Sequence, residues 1–176
     1  MSDNYPSGPA SPRIGVYVCH CGTNIAGMID VEDVAAYAAG FDGVVVSRHY
    51  SYMCSDPGQA LIKEDICNRN LNRGVVASCS PLMHEGTFRS ACAEAGLNPF
   101  LFQMTNLREH VSWVSDDSAF ATQKAKKLVS AAVRRVGHHD PLESRQMGVK
   151  QSALVVGAGI AGIEAALRMA DAGKQV

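Results

Sequence analysis

Four cysteines sit where short apolar runs stop. Cys19-His20-Cys21-Gly22 follows Val16-Tyr17-Val18. Cys54, within Tyr52-Met53-Cys54-Ser55-Asp56-Pro57-Gly58, comes after Val44-Val45-Val46. Cys79, within Ala77-Ser78-Cys79-Ser80-Pro81, follows Val75-Val76. A thiolate is a soft donor, suited to zinc or to an iron–sulfur cluster. Gly22, directly behind the Cys-x-Cys pair, lets the backbone turn tightly under a bulky ligand. If the strand-like runs are parallel neighbours, Cys19, Cys21, Cys54 and Cys79 share one edge of one sheet. Ligands of open α/β sheets sit at that edge, outside the carboxyl ends of the strands. Ser55-Asp56-Pro57 and Ser80-Pro81 are helix-start signals placed beside Cys54 and Cys79. A helix N-terminus favours a thiolate or an anionic cluster. The reading is a four-thiolate metal site. On spacing alone, zinc and metal-free thiols stay open beside a cluster, because these four lack the C-x2-C runs of ferredoxins.

The remaining chemistry-bearing side chains have plainer readings. Cys92 shares a helical face with Phe88, Ala91 and Ala95, and Cys67 shares one with Ala60 and Leu71, so both are expected in the core. His20 and His84 neighbour the expected ligands and are read as surface residues or as supports for those ligands. Phe88 and Trp113 are read as core, and Lys126-Lys127 as a solvated helix end.

The elements that must position these residues follow from hydrophobic period and punctuation. Strands are expected over residues 13–18, 43–48, 74–78 and 99–104. Helices are expected between and after them. One is capped by Asp30, carries Val31, Val34, Ala35 and Ala38 on one face, and ends at Gly40. Others span 59–71 and 83–95, with a short one over 107–113. A longer one opens at Asp116-Asp117, carries the stripe Ala121, Ala125, Leu128, Val129, Ala132 and Val136, and ends at Gly137. Strands alternating with helices mean βαβ units: an α/β fold, a parallel sheet flanked by helices in Rossmann- or flavodoxin-like layers. The 74–78 run suggests a strand buried on both faces.

Residues 138–151 carry His138-His139-Asp140-Pro141 and several charges without an apolar period, and read as a linker between a domain over 13–137 and a second unit over 152–176. There Ala153-Leu154-Val155-Val156 runs into Gly157-Ala158-Gly159-Ile160-Ala161-Gly162, with a helical pattern from 160 to 172. A strand, three spaced glycines and a helix form a dinucleotide-binding fingerprint. Gly157 would make the tight turn, Gly159 admit the pyrophosphate, and Gly162 allow close helix–strand packing. The acidic ribose partner expected about 20 residues further on falls beyond Val176. The unit therefore reads as the start of a truncated Rossmann domain, not expected to hold a flavin stably. Its apolar stripe is expected to pack on the preceding domain or on a second copy of the chain.

At 176 residues, with 47% hydrophobic and 19% charged residues, the chain suits one domain, or one domain and part of another. A net charge of −1 implies no strong attraction to nucleic acid or to a membrane surface. No apolar run approaches the ~18 residues of a membrane span. Residues 1–12 are rich in Ser, Pro and Gly, lack the apolar core of a secretory signal, and read as a flexible tail. Six cysteines without an export signal point to a reducing, cytoplasmic setting, where metal or redox chemistry is more common than structural disulfides.

The chain resembles the A-type subunits of heterodisulfide reductase, together with the related subunits of electron-bifurcating complexes. The resemblance rests on Val18-Cys19-His20-Cys21-Gly22-Thr23-Asn24-Ile25, on Tyr52 through Gln59, and on Ala77-Ser78-Cys79-Ser80-Pro81-Leu82-Met83-His84-Glu85 with Thr87-Phe88-Arg89. Ala95-Gly96-Leu97-Asn98-Pro99, Arg108-Glu109-His110, Ser112-Trp113-Val114 and the three glycines complete it, over residues 13–172. It implies an N-terminal iron–sulfur domain joined to a thioredoxin-reductase-like FAD domain. It favours one 4Fe–4S cluster on Cys19, Cys21, Cys54 and Cys79, relaying electrons to or from FAD in a disulfide-reducing, electron-bifurcating oxidoreductase. The implied partners are the other heterodisulfide reductase subunits and an electron-donating hydrogenase or dehydrogenase module. The ferredoxin-type cysteine runs and most of the flavin pocket of that family lie outside this sequence, so the chain alone is not expected to be catalytic. A metal-free or zinc-holding docking module is the alternative.

Overall fold

The computed structural model describes residues 11–176, so nearly all of the expected tail over 1–12 lies outside the described residues. These fall into two units, one ending at Leu142 and the other running Glu143–Val176. Among the described residues no helix is long and apolar enough to cross a membrane.

The first unit is built on four parallel strands: β1 (Ile14–Cys19), β2 (Val44–Tyr50), β3 (Arg73–Ser78) and β4 (Phe102–Asn106), in the order β2-β1-β3-β4. The helices are α1 (Thr23–Ala26), α2 (Val31–Ala39), α3 (Asp56–Arg69), α4 (Pro81–Glu94) and α5 (Ser118–Gly137). The chain moves from β1 to β2 and then back across β1 to β3. Right-handed crossovers therefore place α2 on one face and α3 and α4 on the other. The pleat sorts the side chains. Ile14, Val16 and Val18 of β1, with Val75 and Ala77 of β3, pack under α2 and α5. Tyr17, Cys19 and Val76 face α3 and α4, together with Phe88, Cys92, Phe102 and Met104. Both β1 and β3 are buried at every position, as central parallel strands covered on both faces must be. The α/β architecture read from the sequence is thus the one observed.

Local chemistry sets the helix starts. The Asp30 carboxylate accepts from the Asp33 N–H at 2.9 Å, and Asp117 does the same for Phe120 at 2.6 Å, each satisfying a donor that the first turn leaves free.

Several expectations need correction. No regular helix forms over 107–113; only a 3-10 turn at Ser112–Val114 is present. The N–H groups of Leu107 and Arg108 both go to Ser78 O, at 2.7 and 3.3 Å, and that of Glu109 goes to the Asn106 side chain. The N–H groups of Ser112 and Trp113 then reach the carbonyls of Leu107 and Arg108, five residues back, at 2.8 Å each, so the i to i−4 ladder of an α-helix is not made. The last strand begins at Phe102, not 99, because residues 98–101 form a turn closed by Leu101 N–H on Asn98 O at 2.9 Å. Cys67 is exposed, not core. Helix α3 ends in a left-handed Asn70 (φ 50), so Leu71 does not continue the helical face that had suggested burial. The buried face of α3 runs through Ile62, Asp65 and Ile66, and Cys67 stands about 100° round from it. Trp113 is 59% exposed, whereas Phe88 is buried as expected. Lys126 is no free helix end: its ammonium lies 2.7 Å from Asp33 and over the Tyr37 ring, joining α5 to α2.

In the second unit, α6 (Ile160–Asp171) forms as expected. The strand over 153–156 does not; one parallel bridge, Ser152 to Gln175, is all the ladder assigned there. A strand exists only by pairing, and Leu154 and Val156 are exposed. No residue of α6 is buried.

Candidate metal centre

The carboxyl ends of the strands are level. Cys19 pairs with Tyr50, Val18 with Ala77, and Ser78 with Asn106. Cys19 is the last residue of β1, and Cys79 lies one residue past β3. Cys21 sits two past β1 and Cys54 four past β2. All four positions expected from the sequence therefore belong to the ends of three adjacent strands.

The loop after β1 is wound tightly. Cys21 is left-handed (φ 49), which is rare for a residue with a Cβ. Gly22 (φ 58, ψ −125) adopts a conformation only glycine holds without strain, and a Cβ there would stand 2.8 Å from the Tyr52 hydroxyl. The turn is laced to the end of β2 and the loop behind it: His20 N–H donates to Tyr50 O at 2.9 Å, and Gly22 N–H to Ser51 O at 3.3 Å. Cys19 Sγ, in a residue only 4% exposed, accepts from the N–H groups of Cys21 at 3.3 Å and Met53 at 3.4 Å. The Cys54 loop is closed by Ser55 and by Gln59 Nε2, which donates to Cys54 O at 2.9 Å. Helix α3 starts at once behind Cys54, with Ser55 Oγ accepting from Gly58. Helix α4 starts behind Cys79, with Ser80 Oγ accepting from Leu82.

The thiols feel one another. Burial pushes Cys19 up, the two N–H donors pull it back, and negative charge on Cys21 or Cys54 pushes it up again. Burial likewise pushes Cys79 up, the Arg108 guanidinium opposes this, and charge on Cys21 adds to it. Burial thus resists the thiolate form at Cys19 and Cys79, and a bound metal centre would supply the positive charge that favours it. Among the described residues, no three His, Cys, Asp or Glu side chains are grouped as a single metal ion requires. Four soft thiols, one of them accepting two backbone N–H bonds, are the donors that zinc or an iron–sulfur cluster takes.

Sequence reasoning did not single out Arg108 by itself. Its Nη1 donates to Cys21 Sγ at 3.3 Å, its Nη2 approaches Met83 Sδ at 3.1 Å, and it pairs with Glu109 at 2.8 Å. The guanidinium carbon stands 4.7 Å from the Trp113 ring centre. The available signal was positional: a cation two residues past the end of a strand, on the edge that already carried the thiols. His20 stacks on His49, Nε2 to Nδ1 at 2.9 Å. Burial, then His49, holds its imidazolium below the usual range. His84 is half-buried. Cys92 is buried, and its surroundings push its thiol up to about 12.

The three spaced glycines of the second unit each have a local role. Gly157 is left-handed at φ 108, Gly159 caps α6, and a Cβ on Gly162 would run into the Gly157 carbonyl.

No family model matches the chain. Curated proteins do. Over 166 residues, 94% of its length, the chain is 56% identical to the second A-type iron–sulfur subunit of the CoB–CoM heterodisulfide reductase of Methanopyrus kandleri, covering 25% of that protein. It is 56% identical over 163 residues, 92% of its length, to the A-type subunit of the H(2):CoB–CoM heterodisulfide,ferredoxin reductase of Methanothermobacter thermautotrophicus, again covering 25%. A protein of Archaeoglobus profundus, named as like the A-type heterodisulfide reductase subunit, is 51% identical over 166 residues, 94% of the chain and 24% of that protein. The chain thus spans about a quarter of the length of the curated relatives it matches.

Proposed function

We propose that this chain, homologous over nearly its whole length to curated proteins named as A-type subunits of heterodisulfide reductase, is the iron–sulfur electron-transfer domain of a longer oxidoreductase subunit. Cys19, Cys21, Cys54 and Cys79 would hold one 4Fe–4S cluster. When bound, such a cluster supplies reversible one-electron transfer. The chain's own residues do the rest. Burial of Cys19 and Cys79 keeps water from those sulfurs. The N–H groups on Cys19 Sγ and the guanidinium on Cys21 Sγ stabilise negative charge as it accumulates. The first turns of α3 and α4 add partial positive charge beside Cys54 and Cys79.

In the longer protein, Gly157, Gly159 and Gly162 would seat the pyrophosphate of FAD at the start of α6, and the cluster domain would pass electrons to or from that flavin. The reaction would be a disulfide reduction within an electron-bifurcating assembly. Other heterodisulfide reductase subunits and a hydrogenase or dehydrogenase module would be its partners, in the cytoplasm. The chain by itself would carry electrons without completing that reaction.

The observation that carries this reading is that Cys19, Cys21, Cys54 and Cys79 follow the level carboxyl ends of three adjacent strands, with two backbone N–H groups on Cys19 Sγ and the Arg108 guanidinium on Cys21 Sγ. Anaerobic purification with iron and sulfide analysis tests it. A brown protein with about four iron and four sulfide per chain is expected. A colourless protein holding zinc, or no metal, would leave a docking module instead.

A further inference from the structure

We infer that Arg108 is a positioning residue that raises the reduction potential of the metal centre by holding positive charge against the Cys21 corner, with Glu109 partly cancelling it. This rests on the cluster reading above and goes beyond it, since neither the four thiols nor their spacing calls for a cation.

The arrangement is built, not incidental. The Arg108 side chain is only 13% exposed, unusual for a residue that normally keeps its head in water. Its head is gripped from four sides: Cys21 Sγ, Met83 Sδ, the Glu109 carboxylate and the Trp113 face. Its backbone is tied to the end of β3 through Ser78 O at 3.3 Å. The planar fork donates to sulfur and to carboxylate at once, which the point charge of a lysine would do less well. Glu109 is anchored in turn by its N–H on Asn106 Oδ1 at 3.0 Å, and its Oε2 is buried without a partner. A half-buried, half-paired carboxylate opposes arrival of negative charge nearby, while the guanidinium favours it. The two neighbouring residues therefore act on the same electron with opposite sign.

The one-electron step in question takes an electron from a mediator poised with dithionite and places it on the cluster, with no bond made or broken. The chain is reconstituted anaerobically, its iron and sulfide are counted, and its midpoint potential is titrated by electron paramagnetic resonance. Arg108→Gln is expected to disfavour the reduced form about tenfold, a fall of about 59 mV for one electron. Arg108→Lys is expected to recover part of that fall, and Glu109→Gln to shift the midpoint upward.

Full iron content with unmoved midpoints in Arg108→Gln and Glu109→Gln overturns the inference. Should Arg108→Gln fail to keep its cluster, Glu109→Gln and Arg108→Lys decide alone. An upward shift with partial rescue supports the role, and unchanged potentials with lower iron content assign Arg108 to packing only. A wild-type chain that takes up no cluster refutes the underlying reading instead, and is recognised by its iron count before any variant is compared.

Discussion

Cys19 and Cys92 lie on the same face of the same sheet, and both are buried, at 4% and 1% exposure. Their surroundings differ completely. Cys19, at the carboxyl edge, receives two backbone N–H bonds and faces two other thiols. Cys92, in the middle of α4, packs among the apolar residues beneath that helix, and burial keeps its proton on. Burial therefore does not distinguish the proposed ligand from a core thiol. What distinguishes them is whether donors and like groups converge on the sulfur, and that happens where strands end and backbone N–H groups are free of the ladder.

The sharpest way to break this comparison is to delete the thiols one at a time. Ala at Cys19, Cys21, Cys54 or Cys79 is expected to abolish or convert the iron–sulfur spectrum, whereas Cys92→Ala and Cys67→Ala keep it. An intact spectrum in any of the first four removes that residue from the ligand set.

The interior also holds polar chemistry, which tests whether polarity alone marks the site. Asp65 is 3% exposed, receives both the Arg48 guanidinium (Nε to Oδ2 at 2.8 Å, Nη2 to Oδ1 at 2.9 Å) and the Tyr17 hydroxyl, and is far from any sheet end in sequence. Burial, then the Asp65 charge, holds the Tyr17 phenol above its usual range. Asp65→Ala strands the two partners. It is expected to cost about 2–3 kcal/mol in urea unfolding, discounted because Arg48 is partly solvated, while cluster content per folded chain stays unchanged. Loss of the cluster at retained stability would contradict the separation between the polar interior and the sheet edge.

Cys92→Ala is expected to cost about 1–2 kcal/mol at neutral pH, by the small cavity it leaves. It also isolates a pH effect. The folded thiol is pushed up to about 12 from an ordinary value of 9.0. Below about pH 9 both states keep the proton and the full contribution is present. Between about 9 and 12 the unfolded chain ionises first, so stability falls as pH rises. Urea midpoints of the apo chain from pH 8 to 11 should fall less steeply in Cys92→Ala than in the wild type; parallel slopes would count against the burial argument. The smallest effect belongs to Cys67→Ala, within about 0.5 kcal/mol of wild type, and in the native chain Cys67 should be alkylated well before Cys92.

Much of this was legible in the residues. Period and punctuation placed Asp30 as a helix cap, Asp116-Asp117 as a helix start and Val31, Val34, Ala35 and Ala38 as a buried face, because those signals act within a few residues and owe little to the rest of the chain. The alternation of apolar runs with helices determined the α/β class, and cysteines placed just behind three such runs determined that they would meet if the strands were adjacent. Adjacency itself, the order β2-β1-β3-β4, is a long-range property that packing of the helices decides. So is the fate of residues 107–113, where Leu107 and Arg108 are tied to Ser78 O and the N–H groups of Ser112 and Trp113 bond five residues back instead of four. Cys67 looked buried until the left-handed Asn70 took Leu71 off its face. Arg108 lies 87 residues from Cys21 in the chain, and only folding brings the guanidinium to that sulfur. Local order follows from nearest neighbours, whereas a charge acts through space, and its partner is settled only when strands distant in sequence lie side by side.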